Sequence, residues 1–383
     1  MLVYLLFLLN IILIAIHTVI DIYKYRITIL EYLQRLSLYK SKRKYDYLIH
    51  GASCGEILLS VPIVKILEQN KNKVVVSCNT VSGYRLIKKK LGKTNIILKP
   101  YENIFILLYF FYIMNPENII IIESDIWPIF IGVVKLLNIR IISINYKFKP
   151  EKHYRNKIHY YLLDKIYLKE SVHLVNGKYE FLGNIKLLNC ENSRLIVKKN
   201  LLVIISAHCD ELEIHCKIIY FCLKNNIKIV YIPRHLNYEK ILKMKFKELK
   251  YHWLIDKNKN IKKIINDFDL IICYCYGLTN EFLSHSKLSV MGGTFNKIGG
   301  HNIFEPIVNH NYLIMGPNYT TCDDLYRILN KFKIISVCDN ITKLTEEILY
   351  LNDRSIDDID RTLSYIDNYI HNLRNKLKYI LRQ

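Results

Sequence analysis

The stretch LSVMGGTFNKIGGHNIFEP, Leu288 to Pro306, decides the fold. It reads as a short apolar strand ending at Gly292-Gly293, then a loop through Lys297 and a second glycine pair, Gly299-Gly300. His301 and Asn302 then lead into a helix, IFEPIVNH. A strand passing through a glycine loop into a helix is the building unit of a parallel sheet, whose ligands gather beyond the carboxyl ends of the strands. The chain holds 13 glycines in 383 residues, and four of them stand here. Glycines ahead of a helix free backbone N–H groups to face an anion, and the helix dipole adds to that attraction. A generic glycine turn is the alternative. Glu305 lies one turn into the helix, placed for ribose hydroxyls. Pro306 is tolerated because first-turn N–H groups have no intrahelical partner. Neither G-x-x-x-x-G-K-[ST] nor G-x-G-x-x-G is present.

The same unit recurs on both sides. Apolar runs that read as buried strands are YLIHG (47–51), VVVSCN (74–79), NIILK (95–99), NIIIIES (118–124) and IRIISIN (139–145), with amphipathic stretches between them. The pattern fades over 150–195. It resumes with LLVIISA (201–207), IKIVYIP (227–233), DLIICYC (269–275), LSVMGG (288–293), YLIMG (312–316) and KIISV (333–337). Continuous apolar strands with helical crossovers predict two doubly wound α/β domains, over 23–185 and 186–354, facing each other across a cleft. Residues 355–383 read as one or two amphipathic helices packing back on the first domain.

Ahead of the first domain, MLVYLLFLLNIILIAIHTVI (1–20) is almost wholly apolar and long enough to span a bilayer. Asp21 closes it. Lys24, Arg26, Arg35, Lys40, Lys42, Arg43 and Lys44 follow, which puts the rest of the chain on the cytoplasmic side. The expectation is an anchor over 1–22. A cleaved signal peptide lacks its basic start and small-residue cleavage site here; a helix lying in the membrane interface is the third reading.

The formal net charge of +21 points to an anionic partner, with lysine drift on a solvated surface as the plain alternative. No basic run interleaved with aromatics marks a nucleic-acid groove. The ten cysteines show neither zinc nor disulfide spacing, so buried thiols of a reducing compartment are expected. Cys273 and Cys275 should point to opposite faces of a strand.

Four further strand ends carry polar groups. In HGASCGEILL (50–59), Gly51 and Gly55 allow a tight turn and a close ligand, and Glu56 reads either as a general base or as a glutamate favourable at a helix start. In ESDIWP (123–128), a cap by Ser124 or Asp125, with Pro128 in the first turn, leaves Glu123 without a structural task. In SAHCDELE (206–213), Asp210 as a helix cap is preferred over a metal site built from His208, Glu211 and Glu213. In YIPRH (231–235), Arg234 suits a phosphate or carboxylate, against a plain surface ion pair.

Taken in order, these motifs resemble the 3-deoxy-D-manno-octulosonate (Kdo) transferases of lipopolysaccharide biosynthesis. GASCGE, CNTVSGY (78–84), ESDIWP, GNIK (183–186), PRH and GGTFNKIGGHNIFEP each match a family element, and the last is the most specific. The resemblance implies a GT-B fold and inverting transfer of Kdo from CMP-Kdo to a lipid A precursor at the cytoplasmic face of the inner membrane. It implies Glu56 as the catalytic base. The substrate-binding set it implies is Ser53, Gly55, Thr80, Glu123, Asp125, Lys186, His208, Arg234, His235, Gly292, Gly293, Gly299, Gly300, His301, Asn302 and Glu305. Within that set Arg234 and the 299–302 loop hold the CMP phosphate and Glu305 the ribose. No cofactor and no metal are implied, because Arg and helix ends supply the positive charge. The chain departs from the family at Lys147, where arginine is usual, and at Leu278, where glutamate is usual; the segment 150–185 is shortened. A GT-B enzyme using another nucleotide sugar and a membrane-tethered non-catalytic relative are the competing readings.

Overall fold

The computed structural model describes residues 14–16, 18–23, 26–38, 42–92, 94–124, 127–171, 177–189, 199–355 and 357–382. They form two α/β units: Met1–Asn189 with His371–Gln383, and Cys190–Ile370.

The first unit is built on seven strands: β1 (Tyr45–Gly51), β2 (Val74–Cys78), β3 (Asn95–Leu98), β4 (Pro116–Ile122), β5 (Arg140–Tyr146), β6 (Lys165–Leu168) and β7 (Tyr179–Phe181). They lie in the order β3-β2-β1-β4-β5-β6-β7, every pair parallel. The cause is visible in β4: Ile119, Ile120, Ile121 and Ile122 are all fully buried, so both faces of the strand are covered. A strand with no polar face needs helices on each side, and only a crossover connection supplies them. The second unit repeats the design with β8 (Lys199–Ala207), β9 (Lys228–Pro233), β10 (His252–Leu254), β11 (Leu270–Cys273), β12 (Ser286–Met291), β13 (Tyr312–Met315) and β14 (Ile335–Val337), in the order β10-β11-β9-β8-β12-β13-β14. Residues 357–380 form one continuous helix, and its stretch from His371 onward groups with the first unit.

The faded region 150–195 holds β6 and β7, of four and three residues. Strands that short carry too few apolar residues to stand out from their surroundings. β10 escapes sequence reading for the same reason.

The proposed membrane span falls mostly on residues 1–13 and 17, which lie outside the described residues. Among the described residues no helix is long and apolar enough to cross a membrane. The described cysteines are all free thiols. Cys273 and Cys275 do not point apart as expected: their sulfurs are 4.0 Å from each other. β11 ends at Cys273, and even along a strand residues two apart share one face, so the spacing gave no ground for the expected separation.

Both sheets are broken at their carboxyl edges in the same manner. The β5–β6 register shifts between Ile144 and Tyr146, and the β8–β9 register shifts between Ile204 and Ala207. The bulged residues, Asn145 and Ser206, have φ of 65° and 51°, and Glu123 at the end of β4 has 61°. Left-handed backbone at a residue other than glycine costs roughly 1 kcal/mol or more each, and bulges of this kind re-aim side chains next to active sites.

Candidate functional site

In the first unit Glu56 stands just past the end of β1, in the helix Cys54–Leu58. Ser53 is its cap: the Glu56 amide donates to Ser53 Oγ at 3.3 Å, while Glu56 Oε2 accepts from the amides of Ala52 at 2.8 Å and Ser53 at 3.4 Å. The capping box fixes the carboxylate at the mouth of the strand. Both readings of Glu56 are therefore compatible with one geometry: a helix-start glutamate whose carboxylate is held over the sheet edge. Thr80, after β2, caps the helix Val81–Leu91 through Gly83 and donates its own amide to Ala52 O at 3.1 Å. It thereby ties the neighbouring strand to the Glu56 turn. Gly55 is exposed, and a Cβ there would meet nothing closer than 3.9 Å, so it leaves open space and is not required by the turn.

Glu123 follows β4, next to β1 in the sheet. Its amide donates to Ile144 O at 2.8 Å, and its Oε1 accepts from Asn145 Nδ2 at 3.3 Å. Asn145 in turn accepts from the Ile185 amide at 3.0 Å. One asparagine thus joins the motifs at 123, 145 and 185, and Glu123 has the structural task that sequence reading did not give it. Lys186 is exposed on the short 3-10 turn Ile185–Asn189. Asp125 lies outside the described residues. The helix Pro128–Leu136 begins with Trp127 as its cap and no side-chain cap bond, so Ser124 does not cap it. Glu102 does this work from the preceding loop, accepting from the amides of Ile129 and Phe130 at 3.2 Å each.

Glu102 also lines a cavity of about 250 Å³ at the carboxyl ends of β2 and β3, with Ile20, Asp21, Arg35, Asn79, Thr80, Lys99, Tyr101 and Trp127. Its charges are paired: Arg35 with Asp21 at 3.1 Å, and Lys99 with Glu102 at 2.5 Å. Lys99, only 1% exposed, also lies 4.2 Å from the centre of the Trp127 ring. Thr80 belongs to both this cavity and the Glu56 turn. A larger cavity, about 400 Å³ beside Arg43, Lys73 and Asn95, sits at the opposite, amino ends of β1–β3, away from these motifs.

In the second unit three adjacent strands, β9, β8 and β12, deliver Arg234, His208 and the glycine loop to one edge. His208 and His301 meet with Nε2 atoms 2.8 Å apart. Their ring centres are 5.1 Å apart and their planes differ by 12°, the end-to-end geometry of an N–H···N bond and not of face stacking. The two rings share one proton on that axis and cannot both be imidazolium while the bond lasts. Burial holds the His208 pKa below its ordinary value, Asp210 opposes this, and His235 and Arg234 add to it. The His235 ring lies 5.8 Å from His208, and Arg234 and His235 are exposed.

The glycine loop corrects the sequence reading. The amides of Gly299 and Gly300 both donate to Gly293 O, at 2.9 and 2.7 Å, and the Gly293 and Phe295 amides donate to the Glu211 carboxylate at 2.7 and 2.8 Å. These donors serve the chain itself. The glycines answer to close packing: a Cβ on Gly292 would stand 2.3 Å from Ser206 O, the carbonyl that the β8 bulge pushes toward it. Gly293, Gly299 and Gly300 have φ of 76°, 92° and 83°. Asn302 accepts from the Phe304 amide at 3.3 Å, and Glu305 sits half-buried in the helix Phe304–Val308. Asp210 is not a helix cap either; it accepts from Asn296 Nδ2 at 2.9 Å. Sequence reading missed Glu211 as the buried post of the loop, because its partners are backbone amides some 80 residues away that leave no trace in spacing. Among the described residues no group of three or more His, Cys, Asp or Glu is placed to hold a metal ion.

A family model described as 3-deoxy-D-manno-octulosonic-acid transferase (kdotransferase) matches residues 31–193. The 3-deoxy-D-manno-octulosonic acid transferase of Aquifex aeolicus is 25% identical over 338 residues, covering 86% of this chain and 93% of the relative. That of Rickettsia prowazekii is 29% identical over 328 residues, covering 76% and 68%. Among solved structures, a glycosyltransferase from Rickettsia africae superposes with a TM-score of 0.56 at 13% identity, covering 90% of this chain and 97% of the other, a likeness of fold alone. The two parallel-sheet units, the ordered motifs at their carboxyl edges and these matches together support a transferase of the 3-deoxy-D-manno-octulosonic-acid type.

Proposed function

We propose that this protein transfers Kdo from CMP-Kdo to a lipid A precursor, with inversion, in lipopolysaccharide biosynthesis. The observation that carries the reading is the family match over residues 31–193, which contains the Glu56 turn. In the reaction Glu56 takes the proton of the acceptor hydroxyl, the oxygen attacks the anomeric carbon of Kdo, and CMP leaves with the bonding pair. The paired, aromatic cavity beside Thr80 supports a sugar headgroup as acceptor: its neutralised charges suit hydroxyls, and its indole and phenol rings suit sugar C–H faces. In the second unit Arg234, His301 and Asn302 are the groups proposed to meet the CMP phosphate, with Glu305 at the ribose. Arg234, exposed at a strand end, supplies charge to the leaving phosphate. The apolar run 1–20 would anchor the protein in the bacterial inner membrane by a single pass with both units in the cytoplasm, and its basic flank would meet anionic lipid.

The test is transfer by the full chain with CMP-Kdo, a second nucleotide sugar and a tetra-acylated lipid A precursor, read by product mass. A mass gain of whole Kdo units from CMP-Kdo alone is expected. Gain from the other nucleotide sugar, or none from either, overturns the reading.

A further inference from the structure

We propose that the helix Ile104–Met114 is a second membrane contact, lying in the headgroup layer of an anionic phospholipid bilayer beside the amino-terminal apolar run. The inference rests on the reading of residues 1–20 as membrane-embedded. The helix, IFILLYFFYIM, has no charged residue and only two polar atoms, both tyrosine hydroxyls. Leu107, Phe110, Phe111 and Met114 face the core, yet the outer stripe is apolar too: Ile104 is 46% exposed, Phe105 63%, Tyr109 43% and Tyr112 61%. A helix whose outer face meets water carries charges there; one apolar all round faces protein or lipid. The helix Pro128–Leu136, packed beside it, also carries exposed Gly132 and Leu136.

The two ends of the helix name the occupant. At its start, Tyr101 donates its hydroxyl to Asp21 at 3.1 Å and accepts from the Thr18 hydroxyl at 3.5 Å, and Asp21 is locked to buried Arg35. The apolar run therefore ends at the amino terminus of this helix. At its other end the Arg43 amide donates to Ile113 O at 2.9 Å, and Lys42 Nζ lies 3.9 Å from the centre of the Tyr112 ring. Lys42 thus borders the exposed Tyr112 ring, with Arg43 and Lys44 next to it in the chain, Arg43 turned to Asn95 at 2.8 Å and Lys44 paired with Glu117 at 2.7 Å. Eleven residues span about 16 Å, so one surface carries in sequence an emerging apolar chain, a stripe of Phe and Tyr, and a basic edge. Tyrosine at headgroup depth with lysine and arginine beside it is the signature of an interfacial helix on anionic lipid. A second copy of the chain would match the apolar stripe, but it would leave the convergence of the apolar run on the same spot unexplained.

The full chain reconstituted in phosphatidylglycerol–phosphatidylethanolamine vesicles, with a trace of phospholipid bearing a chain-borne diazirine, tests this. After irradiation, mass spectrometry locates the label. Label is expected on Phe105, Tyr109 and Tyr112 as well as within 1–20, and the triple variant Phe105→Glu, Tyr109→Glu, Tyr112→Glu should lose the first set and keep the second. Label confined to 1–20 in the unaltered chain overturns this proposal and leaves the anchor standing; label nowhere overturns both. A dimer in detergent that the triple variant dissociates would assign the surface to a second copy and overturn the proposal as well.

Discussion

Asn145 and Ser206 occupy equivalent places, each a left-handed residue at a bulge near the carboxyl end of its strand. Neither is legible as special from sequence, since a bulge is set by the partner strand's register. Glu56 was legible, because a capping box needs only residues three apart, and Ser53 and Glu56 supply it. Buried histidines were not legible, because imidazole occurs equally in cores and at surfaces. His159, nearly buried against the Tyr146 hydroxyl at 2.8 Å, has its pKa pulled to about 4, chiefly by burial with Arg155 adding. His215, fully enclosed, is pulled to about 3 by burial. The unfolded chain takes these protons near pH 6.5 while the folded chain refuses them, so the stability they contribute is present above pH 6.5 and lost as pH falls toward 4 and 3. For His159 alone the loss by pH 5 is about 2 kcal/mol. Denaturant midpoints compared at pH 7 and pH 5 should fall in the unaltered protein and fall less in His159→Gln; an equal fall in both contradicts the assignment.

At the scale of elements, eleven of the fourteen strands among the described residues could be read from apolar runs, because parallel strands buried on both faces leave that mark. The three that could not are three or four residues long. The glycine loop was found by its composition but explained for the wrong reason: its amides bond to Gly293 O and Glu211, and Gly292 is set by the Ser206 carbonyl. This distinction predicts opposite outcomes for two glycines in the candidate site. Gly292→Ala drives a methyl into backbone, with no side chain free to yield, and should lower stability by about 2 kcal/mol or more. Gly55→Ala meets open space and should change stability by less than about 0.5 kcal/mol. Thermal unfolding of the two variants checks the pair; equal Tm values would refute the packing account.

For the molecule as a whole, the sequence conveyed two parallel-sheet units and the order of their motifs. What stayed hidden was the work of residues that act across the chain, such as Glu102 holding the Pro128–Leu136 helix and Asn145 joining three motifs. The excess of positive charge fits a phosphorylated lipid and a nucleotide sugar acid. The central claim is a division of labour: Glu56 in the first unit removes the acceptor proton, while the second unit holds the donor without it. Side-by-side measurement of Kdo transfer and of CMP affinity in Glu56→Ala tests this directly. The account predicts unchanged CMP affinity and transfer reduced by about a hundredfold or more. Transfer at the unaltered rate would contradict it.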